Sequence, residues 1–154
     1  AERRDTHADP HAPIPAVAIG YRVAEPVRNF DNLLALVLRP TLSEILLWQL
    51  GIVADENGDQ LTWLLLSNLA IDAERNARWS AALARYAISQ RPENASVLRR
   101  WVQRWTPKAD EAATALSIML SELPEVGREA DTMRVAAKAA RERVLSEAGI
   151  LAPL

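Results

Sequence analysis

Residues 59–90, DQLTWLLLSNLAIDAERNARWSAALARYAISQ, decide the fold of this chain. At about 100° of helical rotation per residue, Leu66, Ala70, Ala73, Ala77, Ala81, Ala84 and Ile88 fall on one narrow stripe. Roughly opposite lie Leu64, Leu65, Asn68, Ile71, Asp72, Arg75, Trp79, Ala82 and Tyr86. Only Ser67, Glu74, Arg78 and Arg85 make an ordinary wet edge. The stretch reads as one helix, roughly 48 Å long at 1.5 Å per residue. A helix apolar most of the way round is buried on more than one side. One side can face this chain's own core. The other calls for a second chain, or for the rest of a longer one.

The flanks carry their own punctuation. Asn57-Gly58 is a turn signal and Asp59 a good N-cap. Arg91-Pro92 ends the helix. Upstream, a helical pattern begins near Pro26 and runs through Phe30, Leu33, Leu34, Val37 and Leu38. Pro40 either stops it at Arg39 or opens the next helix, since an interior proline costs about 3 kcal/mol. Apolar residues resume at Leu42, Ile45, Leu46, Leu47, Leu50 and Val53. Downstream, Glu93 to Trp105 is amphipathic, with Leu98, Trp101, Val102 and Trp105 on one face and Arg99, Arg100, Gln103 and Arg104 away from it. Thr106-Pro107 predicts a fresh helix, its apolar face Ala109, Ala112, Ala113, Leu116, Met119 and Leu120, with Asp110 and Glu111 in its first turn. Pro124 to Glu129 reads as a loop. Asp131 is the expected cap of a last alanine-rich helix ending at Gly149. No useful stretch alternates with period 2, so the class is all-α. Residues 1–25 show no period and form an extended or linker segment; residues 26–154 form the helical domain.

Composition narrows the function. The chain has 154 residues, 49% of them apolar, enough for one domain with a core. Eighteen basic and 20 acidic residues give a net charge of −2, so no bulk field draws it to nucleic acid or to an anionic membrane. With no cysteines it has no disulfide scaffold, thiol catalysis or sulfur-built zinc site, a composition that fits the cytoplasm. No apolar run is expected to reach the length of a membrane-spanning helix. The N-terminus has no apolar signal core. Ala1 to Pro15 holds three prolines and two histidines, which reads as an internal segment of something longer.

Candidate chemistry is sparse. A di-iron carboxylate bundle takes Glu-x-x-His motifs, and none exists here; on the long helix, Glu74 is followed at i+3 by Ala77. His7 and His11 both lie in the N-terminal segment, where solvated linker residues are the simpler reading. There is no P-loop and no G-x-G-x-x-G. A Ser-His-Asp triad would have to borrow a linker histidine. Glu44, Asp59, Asp72 and Glu74 are better explained as caps or salt-bridge partners than as acids or bases. Arg99, Arg100, Arg104 and Lys108 read as a solvated or charge-paired face rather than a phosphate site. Asp72, Arg75 and Trp79 admit two readings: a polar anchor within a subunit interface, or an i,i+3 ion pair on a wet surface.

Four runs in order, Asn57-Gly58-Asp59, Asp72-Ala73-Glu74-Arg75-Asn76, Pro92-Glu93-Asn94 and Trp101-Val102-Gln103-Arg104-Trp105, resemble the hydroxylase subunits of bacterial multicomponent di-iron monooxygenases, over roughly Phe30 to Leu123. The resemblance implies a ferritin-like helical fold. In the catalytic α subunits the long helix carries Asp-Glu-x-Arg-His, whose Glu and His bind iron. Here Asp72 and Arg75 are kept, while Ala73 and Asn76 stand in the ligand slots. The preceding helix should add a glutamate near Arg39 or Pro40, and neither residue can bind iron. The pattern is similar to that of a non-catalytic β subunit, of which this chain holds the later part. The resemblance then implies no catalytic residue, cofactor or metal ligand in this chain, with the di-iron centre in an α partner of a hetero-oligomer that hydroxylates or epoxidises hydrocarbons with O₂. Leu65, Asp72, Arg75, Trp79 and Tyr86 are the expected contact surface, and neither nucleic acid nor membrane is an expected partner. The rival readings are a helical ligand-binding domain, such as the effector half of a transcription regulator, and an independent ferritin-like enzyme with unusual ligands.

Overall fold

The structure, a computed structural model, describes residues 34–123 and 128–151. The linker assigned to residues 1–25, the first helical turns from Pro26, both histidines and most of the Pro124–Glu129 loop lie outside the described residues.

The first helical rod has four contiguous pieces: π-helical Leu34–Leu38, α-helical Arg39–Ser43, π-helical Glu44–Gln49 and α-helical Leu50–Glu56. Together they are called α1. The chain does not stop at Pro40. The proline sits in the first turn of an α-helical piece, and widened turns lie on both sides of it. The Thr41 hydroxyl donates to the Val37 carbonyl at 2.7 Å, so a main-chain acceptor beside the proline is satisfied by a side chain.

The next helix, α2, spans Gln60–Gln90 as one piece. Its junction with α1 is made locally. Gly58 has φ +77°, its N–H reaches Asp55 O at 3.0 Å, and the Asp59 N–H reaches Ala54 O at 2.8 Å. These are the two bonds of a Schellman stop. Asp59 then caps α2 by accepting from the Thr62 N–H at 3.0 Å. Gly51 lets α2 approach closely, since a Cβ there would meet the Trp63 ring at 3.3 Å. At the other end Arg91 closes α2, and the Asn94 side chain donates back to Ala87 O at 2.9 Å.

Helix α3 spans Glu93–Ser121 with Pro107 inside it, which corrects the expectation of two helices. Pro107 and Gln103, whose carbonyl loses its N–H partner, both lie on the exposed side of the helix. The apolar stripe Leu98, Val102, Trp105, Ala109, Ala113 crosses the proline without changing phase. Met119, expected on that face, is 52% exposed, and Ser117 is fully buried on it instead.

Helix α4 spans Ala130–Glu147. Asp131 does not cap it. Glu129 occupies the cap position with no side-chain bond, and Asp131 pairs with Arg134 at 3.1 Å in the first turn. The helix ends as expected near Gly149. Ile150 folds back, its N–H bonded to Leu145 O at 3.0 Å, and both side chains are buried.

The core places the helices. Leu36, Val37, Ala77, Ala81, Ala84, Leu98, Ala109, Val144 and Ile150 form one cluster; Ile45, Ala113, Leu120, Met133 and Ala137 form the other. Helices α1, α3 and α4 each contribute to both clusters, whereas α2 contributes Ala77, Ala81 and Ala84 to the first alone; the tight junction at Gly58 turns α2 back along α1. Among the described residues there is no strand, and the all-α reading is borne out. By length and composition, Ala35–Glu56 is apolar enough to cross a membrane, which corrects the expectation that no segment is. Burial in the bundle accounts for that composition: Leu36, Val37, Ile45, Val53 and Ala54 all pack inside.

Candidate functional site

Two surfaces of α2 hold the residues singled out in the sequence. The inner one borders a solvent-open cleft of about 270 Å³ between α1, α2 and α4. Ala73 and Pro40 both line it, so two of the three positions where the resemblance places metal ligands meet at one place. The third, Asn76, is exposed and does not line the cleft. From Ala73, three residues of helix turn Asn76 about 60° away from the stripe that Ala77 continues.

Two of the cleft's three carboxylates are paired with neighbours in the same wall. Glu44 accepts from Gln49 Nε2 at 2.8 Å, and Glu74 pairs with Arg78 at 2.6 Å. Glu147 lies across from them, with Arg143 in the same wall. Among the described residues no three His, Cys, Asp or Glu side chains converge closely enough to hold a metal ion. Among the described residues the donor set at the cleft does not fit a di-iron centre: it offers no imidazole, and Ala73 and Pro40, at or beside the positions where the resemblance places ligands, have no donor side chain.

The outer surface of α2 carries Leu65, Asp72, Arg75, Trp79 and Tyr86, and all five are exposed. Trp79 and Leu61 are each 68% open to solvent. Asp72 and Arg75 pair within the helix at 3.1 Å, with side chains 66% and 74% exposed. A large apolar residue left this open leaves roughly 1.5–3 kcal/mol of burial unrealised, and several adjacent ones mark a contact surface. Asp59, the remaining acid singled out, is a cap. Hydrogen bonds from Thr62 hold its carboxyl below the usual range, against a small opposing effect of burial.

Sequence reading missed the polar core. Arg141 is 2% exposed; it donates to Thr41 Oγ1 at 3.3 Å and pairs with Asp110 at 2.8 Å. One guanidinium therefore ties α4 to α1 and α3. A signal existed, because Arg141 lies four residues after Ala137 on the stripe that Met133 and Val144 continue. Arg128 makes a second tie, donating to Gln49 Oε1 at 2.7 Å and lying 3.7 Å from Glu56.

Residues 30–91, which contain α1 and α2, match the family of methane, phenol and alkene hydroxylases. The chain is also 42% identical over 88 residues to the beta subunit of the hydroxylase component of the toluene-4-monooxygenase system of Ectopseudomonas mendocina. That alignment covers 57% of this chain and 27% of the relative, so the chain spans about a quarter of the length of the relative it matches. No solved structure matches it. The hydroxylase match takes in the Asn57-Gly58-Asp59 junction, the cleft-lining Pro40 and Ala73, and the whole outer surface of α2.

Proposed function

We propose that this chain is the later part of a non-catalytic, β-type subunit of a di-iron monooxygenase hydroxylase, with a ferritin-like bundle as its frame. The complex would hydroxylate or epoxidise a hydrocarbon with O₂, and its iron would sit in a larger catalytic chain. The observation that carries this reading is the cleft: where a metal-binding relative needs ligands, Pro40 and Ala73 close the wall, within the residues 30–91 that match the methane, phenol and alkene hydroxylases. This chain supplies rigid surface, and the outer face of α2 is a surface through which it assembles.

The deciding experiment is co-purification. The chain should draw down a larger chain bearing two Glu-x-x-His motifs, and iron should follow that larger chain. Stoichiometric iron or manganese in this chain alone would overturn the reading. Trp79→Ala should weaken assembly by about 2 kcal/mol or more. Unchanged sedimentation of the complex would remove the outer face from the interface.

A further inference from the structure

We propose that a second copy of this chain covers the outer face of α2, paired antiparallel about the Asp72–Arg75 step. This rests on the reading that the face is a subunit contact, and it names the partner. The catalytic chain would then meet the subunit at another surface.

The spacing of the face is the first reason. Leu61, Leu65, Asn68, Asp72, Arg75, Trp79, Ala82 and Tyr86 are separated alternately by four and three residues. That is the 3.5-residue repeat that keeps one seam of a helix against a partner helix. All seven exposed large apolar residues of α2 lie on this seam or directly beside it: Leu61, Leu65, Trp79 and Tyr86 on it, and Leu64, Leu69 and Ile71 at its edges. The residues on the other side of the helix, including Ala70, Ala77, Ala81 and Ala84, pack into this chain's own core.

Self-complementarity is the second reason. A two-fold axis between Asp72 and Arg75 sets each seam residue opposite another of the same seam. Asp72 meets Arg75 of the second copy, and Arg75 meets its Asp72. Leu65 then faces Ala82 and Trp79 faces Asn68, a bulky residue against a smaller one in two of the four layers, while Tyr86 faces Leu61. Such an arrangement is isologous, each contact occurring twice. The opposite charges stand at the one place where a two-fold axis makes them complementary. In the parallel in-register pairing, Asp72 would face Asp72 and Arg75 would face Arg75. The seam from Leu61 to Tyr86 is about 38 Å long, and a strip about 10 Å wide on each copy buries roughly 800 Å² in total, the scale of a weak, reversible contact.

Charge reversal tests this, since both residues are exposed and neither supports the core. Sedimentation velocity on the chain should show a dimer. Asp72→Arg and Arg75→Asp should each weaken it by roughly 100-fold, because each sets like charges face to face. An equimolar mixture of the two variants should restore dimers, and so should the double variant Asp72→Arg/Arg75→Asp. The chain has no cysteine, so Leu65→Cys mixed with Ala82→Cys should cross-link on oxidation, whereas Leu65→Cys alone should not. A parent that stays monomeric, single reversals without effect, or a mixture that fails to recover would each overturn the proposal. If the parent is monomeric yet binds the larger catalytic chain, the self-pairing fails while the proposed function stands. If it dimerises as described and no iron-bearing chain accompanies it, the self-pairing stands and the proposed function fails.

Discussion

Replacing Asp110 by alanine and, separately, Arg141 by methionine distinguishes two roles for the polar tie at the centre of the bundle. The Arg141 side chain is 3% exposed and that of Asp110 is 51% exposed. Their loss is therefore not symmetric. In Asp110→Ala the guanidinium stays buried, with the Thr41 hydroxyl at 3.3 Å its one remaining partner among the described residues. Breaking a fully buried pair from one side costs about 3–5 kcal/mol. Here water reaches the vacated edge where Asp110 stood, so about 2–3 kcal/mol is expected. In Arg141→Met the surviving carboxylate simply hydrates, and Thr41 keeps its bond to Val37 O. The unbranched methionine fills much of the space, which limits the loss to about 1 kcal/mol or less. Urea unfolding followed by far-ultraviolet circular dichroism measures both. For a chain of this size Asp110→Ala should lower Tm by roughly 5–10 °C, and Arg141→Met by much less. If Arg141→Met costs as much as Asp110→Ala, the guanidinium stabilises the fold outright and the asymmetry argued from exposure is wrong.

Other sites give shorter tests. Gly58→Ala should destabilise the chain by about 1 kcal/mol, because φ is +77° there although the space around it is open; an unchanged midpoint would mean the junction had changed shape. Ser117→Ala should be neutral or slightly stabilising, since the buried hydroxyl has no hydrogen-bond partner among the described residues; a clear loss in unfolding free energy would reveal a bond to that hydroxyl. Asp59 is held below the ordinary carboxylate pKa of 3.8 by Thr62. Its contribution to stability is present above that value and is lost as pH falls through the lower folded-state value. Asp59→Asn should therefore be less stable than the parent near neutrality and converge with it as pH falls below about 4, which flattens the acid limb; an equal deficit at both ends would assign the acid limb to another carboxylate.

What was legible in the sequence is what short range determines. The inner stripe of α2, its aspartate cap and its stop at Arg91 follow from residues within a few turns of one another, and all are found in place. Pro107 misled because a proline removes only one bond, a small loss on an exposed stretch of helix; Pro40 sits in the first turn of an α-helical piece, as the second of its two readings allowed, with the rod continued by widened turns on both sides. The unbroken phase of Leu98, Val102, Trp105 and Ala109 was the available warning. The Arg141 tie was not legible in full because its partners are 31 and 100 residues away, although an arginine on an alanine stripe pointed to one. The size ordering on α2 then connects fold to function. Its buried residues are Ala70, Ala77, Ala81 and Ala84, whereas Leu61, Leu65, Trp79 and Tyr86 stand in solvent. Burial of a large apolar side chain is worth roughly 1.5–3 kcal/mol, and alanine contributes far less. Most of the hydrophobic stabilisation that this helix can supply is therefore not realised within its own bundle. Small residues inside allow α1 and α4 to approach closely, and large residues outside gain their burial only when a second helix is laid along them.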